Sequence, residues 1–464
     1  ERTFRRKKDA EELSCGFEVC LILLILLSVS WDSYARQDDP FTSFELQIPA
    51  NGRYIEYKNG SSFLYLGDTA WSLLSRLTKD EVSLYLKNRK EKGFTVIQTV
   101  ILPELEAWNE RLAIGVPSIV DVDSIRLHPV YLEYIDWVLE EAERLGLFIG
   151  LLPTWGDKVD KQWGKGPELF DEKNARNYGR MLGARYADVP NVIWIIGGDR
   201  GGDGKNKAIW NAMAEGIKEM DKTHLMTFHP QGEHSSSFWF HHAGWLDFNM
   251  FQSGHFQTSY KIYERLLETD RNLNPVKPVL DGEPRYEDIP IDFDEKKGRF
   301  IAYDIRKTLY QSILSGACGY TYGCNNIWQM YDAGRSPQCA ARLYWYDSLD
   351  MEGCCQLHFF YTLWNQFDFR TANPLKDILI PVGRYDCDEA VAFGNAAFVI
   401  CYFPGGDRWQ IRLGNNWEDG RYTLQWMNPR NGKMSLEKRT EGEEIEVQLP
   451  EKGNESDWIL IIKK

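Results

Sequence analysis

Two acidic residues of this chain each stand at the end of a short apolar run. Asp199 follows the run at residues 192–198, and Glu283 follows the run at residues 278–282. A buried parallel strand reads as a continuous apolar run, and the catalytic groups of a barrel lie just past the C-terminal ends of its strands. We therefore expect both carboxyl groups to reach one pocket. There, one acid could protonate a leaving oxygen while the other attacks an anomeric carbon, which is the chemistry of glycosidic bond cleavage.

The geometry and environment of this pair would decide its mechanism. A carboxyl separation of about 5–5.5 Å predicts retention through a covalent intermediate, and ~6.5–9.5 Å predicts inversion through a water. The proton donor needs a raised pKa, which an apolar wall and the second carboxylate would supply. A structural interpretation stays open, in which Asp199 caps a turn and pairs with Arg200. Glu283 would then pair with Arg285, although the glycines beside both acids favour close approach of a ligand.

Strand-like runs alternate with helical patterns between residues 63 and 322, which predicts a parallel α/β architecture. Eight such units fit a (β/α)8 TIM barrel, which needs about 250 residues. A doubly wound sheet is the alternative, but it would carry a Gly-rich phosphate turn after its first strand, and residues 67–69 form no such turn. We expect strands at residues 63–67, 95–102, 147–153, 192–196, 225–228, 247–251, 279–281 and 318–322.

The pattern changes near residue 373, where short alternating segments separated by turn clusters begin. These segments lie at residues 391–403, 422–427, 444–449 and 458–462, and they predict a small antiparallel β-sandwich. Residues 44–57 read as a hairpin that covers the lower end of the barrel. The expected domains are a signal peptide at residues 1–35, a barrel with its N-terminal hairpin at residues 40–373, and a sandwich at residues 374–464.

The N-terminal segment has the features of a secretory signal. Positive charge at residues 5–8 precedes an apolar run at residues 19–30, and Ser33 and Ala35 occupy the small-residue positions before a cleavage site. The run is too short for a stable membrane anchor. We expect a secreted or periplasmic protein in a bacterium, with no stable membrane span in its mature form.

Composition narrows the partners further. The net charge is −14 without a basic stripe, which argues against nucleic acid. None of the nine cysteines forms a CxxC pair, and the spacing of His234, His241, His242 and His255 matches no metal motif, so we expect neither a metal nor a cofactor. The remaining expected pocket residues are polar or aromatic side chains at strand ends. They are Asp68, Trp71, Glu104, Trp155, His229, Gln252, His255, Arg285, Tyr286, Tyr322, Asn326 and Trp328.

Three stretches resemble glycoside hydrolase family 140, the apiosidase-like group, whose members join a (β/α)8 barrel to a collagen-binding-like domain. They lie at residues 65–71, 194–199 and 281–284, and residues 425–432 fit the trailing domain. The resemblance covers nearly everything after residue 44. It implies that Asp199 is the general acid/base and Glu283 the nucleophile of a retaining enzyme. The implied substrate is apiose linked to galacturonate in the pectic polysaccharide rhamnogalacturonan II.

Two hypotheses of different classes follow. The first is a secreted retaining glycoside hydrolase whose partner is a polysaccharide or oligosaccharide substrate. The alternative is a catalytically inactive carbohydrate- or matrix-binding protein, which an exported acidic chain with a sandwich tail would also fit. Turnover of pectic oligosaccharides separates the two, and neither hypothesis depends on an oligomeric state.

Overall fold

The computed structural model describes residues 44–257, 261–382, 389–414, 417 and 421–464. The expected signal peptide lies outside these residues. Within them, no helix combines the length and apolar character needed to cross a bilayer.

Eight parallel strands form one sheet, in the order β6-β7-β8-β1-β2-β3-β4-β5. Two hydrogen bonds close the sheet into a barrel between its two outer strands. The N–H of Asp247 donates to the carbonyl oxygen of Met226 at 2.8 Å, and the hydroxyl of Thr227 donates to the carbonyl oxygen of Phe248 at 2.7 Å. The predicted (β/α)8 barrel is therefore confirmed. Its strands are β1 (Tyr65–Thr69), β2 (Val96–Leu102), β3 (Phe148–Thr154), β4 (Val192–Gly197), β5 (Met226–His229), β6 (Asn249–Phe251), β7 (Val279–Asp281) and β8 (Gly319–Tyr322).

The barrel interior fixes the direction in which each strand residue points. Gln98 donates to the hydroxyls of Tyr65 at 3.2 Å and Thr321 at 2.9 Å, so these three side chains face inward. Glycine makes room for them, since a Cβ at Gly319 would lie 2.5 Å from the Cβ of Tyr65. Because strand side chains alternate, residues 66 and 68 of β1 and residues 320 and 322 of β8 must face the surrounding helices.

Helices follow the strands and cover the outside of the barrel. The first long helix follows Thr78, whose N–H donates to the Glu81 carboxylate at 2.7 Å, as in a capping box. Between β5 and β6, where the sequence has no helical period, only one helical turn forms. These helices are α1 (Lys79–Glu91), α2 (Pro129–Arg144), α3 (Glu172–Tyr186), α4 (Lys205–Met220), α5 (Ser237–Phe240), α6 (the consecutive segments Lys261–Tyr263, Glu264–Glu268 and Thr269–Arg271), α7 (Ala302–Leu314) and α8 (Glu352–Trp364). Two further single helical turns lie at Leu73–Arg76 and Asn325–Trp328, just past the ends of β1 and β8.

The predicted N-terminal hairpin pairs Leu46–Gln47 with Glu56–Tyr57. Just before it, the ring of Phe44 lies 5.2 Å from that of Phe148, the first residue of β3. The hairpin thus lies at the lower end of the barrel, opposite the strand ends that carry the two acids.

The C-terminal region consists of two antiparallel sheets that share one core, which confirms the predicted sandwich. Side chains from both sheets meet there, among them Cys401, Phe403, Trp409 and Val447. The six-stranded sheet has the order β9-β11-β12-β17-β14-β15, and the other has the order β10-β13-β16. The strands are β9 (Asn373–Pro374), β10 (Leu379–Val382), β11 (Val391–Gly394), β12 (Phe398–Phe403), β13 (Gly406–Arg412), β14 (Tyr422–Met427), β15 (Lys438–Thr440), β16 (Glu444–Gly453) and β17 (Trp458–Lys463).

The sandwich packs against α7 through a buried polar contact and a ring stack. Arg306 donates to both carboxylate oxygens of Asp457, at 2.9 and 2.8 Å. One turn further along α7, the ring of Tyr310 stacks on Tyr402 with centroids 4.9 Å apart. These contacts hold the sandwich on the outer wall of the barrel.

Candidate active site

A cavity of about 690 Å³ opens where the barrel strands end at their C-terminal side. Its volume lies within the range of about 300–1,000 Å³ that small-molecule sites occupy. Its position is that of the active site in barrel enzymes. Nine of the residues expected from the sequence line it: Trp71, Glu104, Trp155, Asp199, Gln252, His255, Glu283, Tyr286 and Trp328.

The chain turns sharply after β4 and delivers Asp199 into this cavity. Gly197, Gly198 and Asp199 have φ values of 95°, 124° and 56°. A Cβ at Gly197 would lie 2.5 Å from the carbonyl oxygen of His229, and one at Gly198 would lie 2.9 Å from the backbone nitrogen of Gly156. Glycine is therefore required at both positions, and aspartate tolerates the left-handed conformation that follows.

Two imidazoles surround the carboxylate of Glu283. His255 Nε2 forms a 2.9 Å hydrogen bond with Oε1, and His229 Nε2 lies 2.8 Å from Oε2 at an angle far from that of a linear hydrogen bond. The backbone N–H of Asp199 donates to His229 Nδ1 at 3.2 Å. Because a neutral imidazole carries one proton, that proton lies on Nε2, facing the carboxylate.

These contacts set the charge state of Glu283. Burial alone would raise its pKa, because a carboxylate loses hydration in the cavity wall. The close approach of His229 and the hydrogen bond with His255 outweigh that effect and lower the pKa to about 2. Glu283 is therefore ionised at neutral pH.

Asp199 has the opposite tendency. Burial, followed by the negative charge of Glu283, raises its pKa to about 6, and His229 and Arg200 offset part of this rise. The guanidinium Nη1 of Arg200 lies 3.7 Å from Asp199 Oδ2. Two carboxyl groups in one cavity are thus driven apart in pKa, which is the arrangement that separates a proton donor from an ionised partner.

A third acid, Glu104, lines the same cavity. Burial, together with the negative charges of Asp199 and Asp157, raises its pKa to about 8. Arg200 and Lys158 lower it to a smaller extent. Glu104 therefore presents a neutral carboxyl group at neutral pH, which can both donate and accept a hydrogen bond.

Among the buried polar atoms of the cavity wall that lack a hydrogen-bond partner in the protein, two are an indole donor and an amide acceptor. They are Nε1 of Trp155, a donor, and Oε1 of Gln252, an acceptor, on residues that are each 4% exposed. A buried polar atom without a partner costs about 1–3 kcal/mol, so such atoms are rare unless a ligand binds them. Their positions suit them to bind substrate hydroxyl groups.

Aromatic rings complete the wall around the two acids. The indole N–H of Trp71 donates to the hydroxyl of Tyr286 at 3.0 Å, and its ring centroid lies 5.1 Å from that of Trp155. His229, expected from the sequence as a cavity residue, is completely buried between these rings and Glu283. It contacts Glu283 from the barrel side of the cavity wall.

Two expected residues point away from the cavity because strand residues alternate. Asp68 is buried in an ion pair with Arg89 at 2.5 Å and accepts a 2.6 Å hydrogen bond from Tyr85, both on α1. Tyr322 donates to Glu287 at 2.7 Å. Both belong to the outward-facing set of β1 and β8, so the structure corrects their expected placement.

Arg285 and Asn326 are also outside the cavity lining. The guanidinium of Arg285 lies over the ring of Phe300, 5.1 Å from its centroid. The amide of Asn326 donates to Asp288 at 3.2 Å and accepts from the N–H of Arg342 at 3.1 Å. Asn326 thus organises the loop after β8, and the expected contact with a ligand is corrected to a structural role.

Sequence reasoning missed the cavity residues that lie in irregular loops. These loops have no period to indicate which side chains face inward, although a tryptophan in a loop, such as Trp163 before Gly164, is a signal for a ligand-contacting ring. The missed residues are Leu105, Gln162, Trp163, Gln231, Gly232, Gly254, Phe256, Ile289, Phe293, Gln338 and Cys339.

The family models match both parts of the chain. The model described as "Apiosidase-like, catalytic domain" matches residues 49–371. The model described as "Putative collagen-binding domain of a collagenase" matches residues 377–463. No curated protein sequence matches the chain.

Solved structures agree with the first model. One, titled "Glycoside hydrolase", is 32% identical with a TM-score of 0.83, over 90% of this chain and 97% of its own. Another, titled as a glycoside hydrolase family 5 protein from Bacteroides vulgatus, is 31% identical with a TM-score of 0.83, over 90% of this chain and 93% of its own. The chain therefore belongs to the apiosidase-like catalytic domain family and has the fold of glycoside hydrolases.

Proposed function

We propose that the protein is a retaining glycoside hydrolase in which Asp199 is the acid/base and Glu283 the nucleophile. The observation that carries this proposal is that Asp199 and Glu283 line one cavity past the C-terminal ends of β4 and β7, where their surroundings shift the two pKa values in opposite directions. Asp199, with a pKa of about 6, can hold a proton, while Glu283, with a pKa of about 2, stays ionised.

In the first step, a carboxylate oxygen of Glu283 forms a bond to the anomeric carbon. The bond from that carbon to the leaving oxygen breaks, and the proton of Asp199 moves to the leaving oxygen. In the second step, the Asp199 carboxylate takes a proton from water. The water oxygen then bonds to the anomeric carbon, and the bond to Glu283 breaks.

The low pKa of Glu283 favours a nucleophile over a base. An inverting enzyme needs its second carboxylate to remove a proton from water, and a general base works best with a pKa near the operating pH. A carboxylate with a pKa of about 2 is a weak base but a good leaving group. It therefore fits the formation and breakdown of a covalent intermediate.

We further propose that the substrate is the one implied by the resemblance to family 140, an apiose-linked side chain of rhamnogalacturonan II. Apiose is a neutral sugar, and the described residues that line the cavity offer it aromatic rings and uncharged hydrogen-bonding groups such as Gln252. The unpartnered atoms of Trp155 and Gln252 supply one donor and one acceptor for its hydroxyl groups.

The sequence features support two more proposals. The charged and apolar segments before residue 36 favour export to the periplasm or the medium of a bacterium. We also keep the domain limits at residues 40–373 and 374–464 as predictions, for which separately expressed domains provide the test.

The test is a screen of defined pectin side-chain fragments with wild-type protein, D199A and E283A. Wild-type protein should release a monosaccharide, and both variants should lose at least about a thousandfold in kcat/KM while keeping the wild-type circular dichroism spectrum. D203A is the matched control, since Asp203 follows in the same loop but does not line the cavity. Binding without turnover in wild-type protein would instead favour the inactive binding protein.

A further inference from the structure

Trp163 is the most exposed tryptophan side chain described in the chain, although it lines the cavity. It is 60% exposed, which is unusual for a large apolar ring. Phe256 and Phe293, also at the cavity rim, are 43% and 48% exposed. An apolar patch that borders a binding cavity marks a surface that a ligand covers.

Arg200 holds the Trp163 ring beside the proton donor. The guanidinium carbon of this completely buried arginine lies 4.1 Å from the ring centroid, against one face of the indole. The same guanidinium donates to the carbonyl oxygen of Asp199 at 2.7 Å. Since Arg200 follows Asp199 directly in the chain, the same arginine holds both the Trp163 ring and the backbone of Asp199.

The loop that carries Trp163 is fixed at several points. Arg200 donates to the carbonyl oxygens of Asp160 at 2.8 Å and Lys161 at 3.0 Å. On the other side, Gly166 donates its N–H to the Asp157 carboxylate at 2.7 Å. A Cβ at Gly164 would lie 2.1 Å from the Cβ of Asp157, so the two ends of the loop pack so closely that only glycine fits at residue 164. The ring is therefore held in place before a ligand binds.

We propose that Trp163 is the stacking platform for the leaving-group sugar, the residue on the reducing-end side of the bond that is cleaved. The proposal rests on the proposed function, because the leaving oxygen receives its proton from Asp199 and must lie next to it. The sugar attached to that oxygen then lies over the free face of Trp163. Glu283 attacks from strand β7, which β5 and β6 separate from β4 in the sheet.

This placement makes the enzyme specific for an oligosaccharide with a sugar, rather than a small alcohol, as its leaving group. Sugar C–H faces stack on flat aromatic rings, and the ring area buried is lost when the ring is removed. Trp163 should therefore contribute to the binding of the leaving sugar and not to the binding of the released one.

The experiment measures KM and kcat on rhamnogalacturonan II oligosaccharides for wild-type protein, W163A and W163F. We expect W163A to raise KM about tenfold with little change in kcat, and W163F to restore most of the affinity. F238A is the matched control, because Phe238 is 52% exposed but does not line the cavity. An unchanged KM in W163A would overturn the proposal.

Failure of this proposal can be distinguished from failure of the proposed function by isothermal titration calorimetry, which measures the affinity of each of the two reaction products. W163A should weaken binding of the leaving oligosaccharide about tenfold and leave binding of the released monosaccharide unchanged. Equal weakening of both products would also overturn the proposal. If wild-type protein gives no turnover, the proposed function fails, and binding of the intact oligosaccharides to wild-type protein and W163A decides whether the platform exists.

Discussion

The Nε2 atom of His229 lies 2.8 Å from Oε2 of Glu283, while Nδ1 of the same ring accepts the backbone N–H of Asp199. One imidazole thus connects the turn that positions Asp199, the proposed proton donor, with the carboxylate of Glu283, the proposed nucleophile. The backbone hydrogen bond fixes the tautomer, and the tautomer directs a proton at Glu283.

Replacing His229 with phenylalanine should raise the pKa of Glu283, because the ring packing stays while the N–H is lost. The acid limb of the pH profile of kcat/KM should then move upward by about one unit or more, since Glu283 acts only when ionised. H241F is the control, because His241 is equally buried but bonds to Asn249 outside the cavity. The same acid limb in H229F and wild-type protein would contradict the account.

Activity should fall as the pH rises through about 6, because the reaction needs Asp199 in its protonated form. The raised pKa comes from burial and then from the charge of Glu283, so E283Q should lower it. Carboxyl-carbon NMR of Asp199 in wild-type protein and E283Q measures this directly. A wild-type Asp199 that titrates at its ordinary value of about 4 would be inconsistent with a proton donor.

Asp68 should matter for stability and not for substrate affinity. D68N leaves the buried guanidinium of Arg89 without its carboxylate, and breaking such a pair costs about 3–5 kcal/mol. The free energy of unfolding from denaturant titration measures the loss. D350N is the control. Asp350 forms an ion pair with Lys92 but is 74% exposed, and such surface pairs contribute about 0–1 kcal/mol. A raised KM in folded D68N would restore Asp68 to the binding site.

Trp155 should bind a substrate hydroxyl through its unpartnered N–H. W155F keeps an aromatic ring against Trp71 and removes the donor, so kcat/KM should drop about tenfold or more while thermal stability stays unchanged. W245F is the control, because Trp245 is also buried, at 5% exposed, but its N–H donates to Asn211 outside the cavity. Equal activity in W155F and W245F would remove Trp155 from substrate recognition.

The positions of both acids could be predicted because β4 and β7 are buried on both faces. Such strands read as unbroken apolar runs, and the residues just past their ends meet over the barrel. The expectation that Asp68 and Tyr322 line the cavity is wrong because both residues still belong to their strands. Their side chains therefore follow the alternation of the strand and face the helices. The inward direction of Tyr65 on β1 and Thr321 on β8, which decides this alternation, depends on their contacts with Gln98 inside the folded barrel.

The loop residues were harder to predict for a different reason. Trp163 and Phe293 reach the cavity through irregular segments, whose course depends on tertiary contacts such as those of Arg200. Contact of His229 and His255 with the second acid or with a substrate hydroxyl is a possibility that the sequence leaves open, and the meeting of three different strand ends decides it in favour of Glu283.

The most direct test of the central claim is the anomeric configuration of the first product. Proton NMR recorded during hydrolysis of a rhamnogalacturonan II fragment follows the released sugar before it mutarotates. The account predicts that the first sugar formed has the anomeric configuration of the substrate, because Glu283 and water each invert the anomeric carbon once. A first product of inverted configuration would contradict the role of Glu283 as the nucleophile.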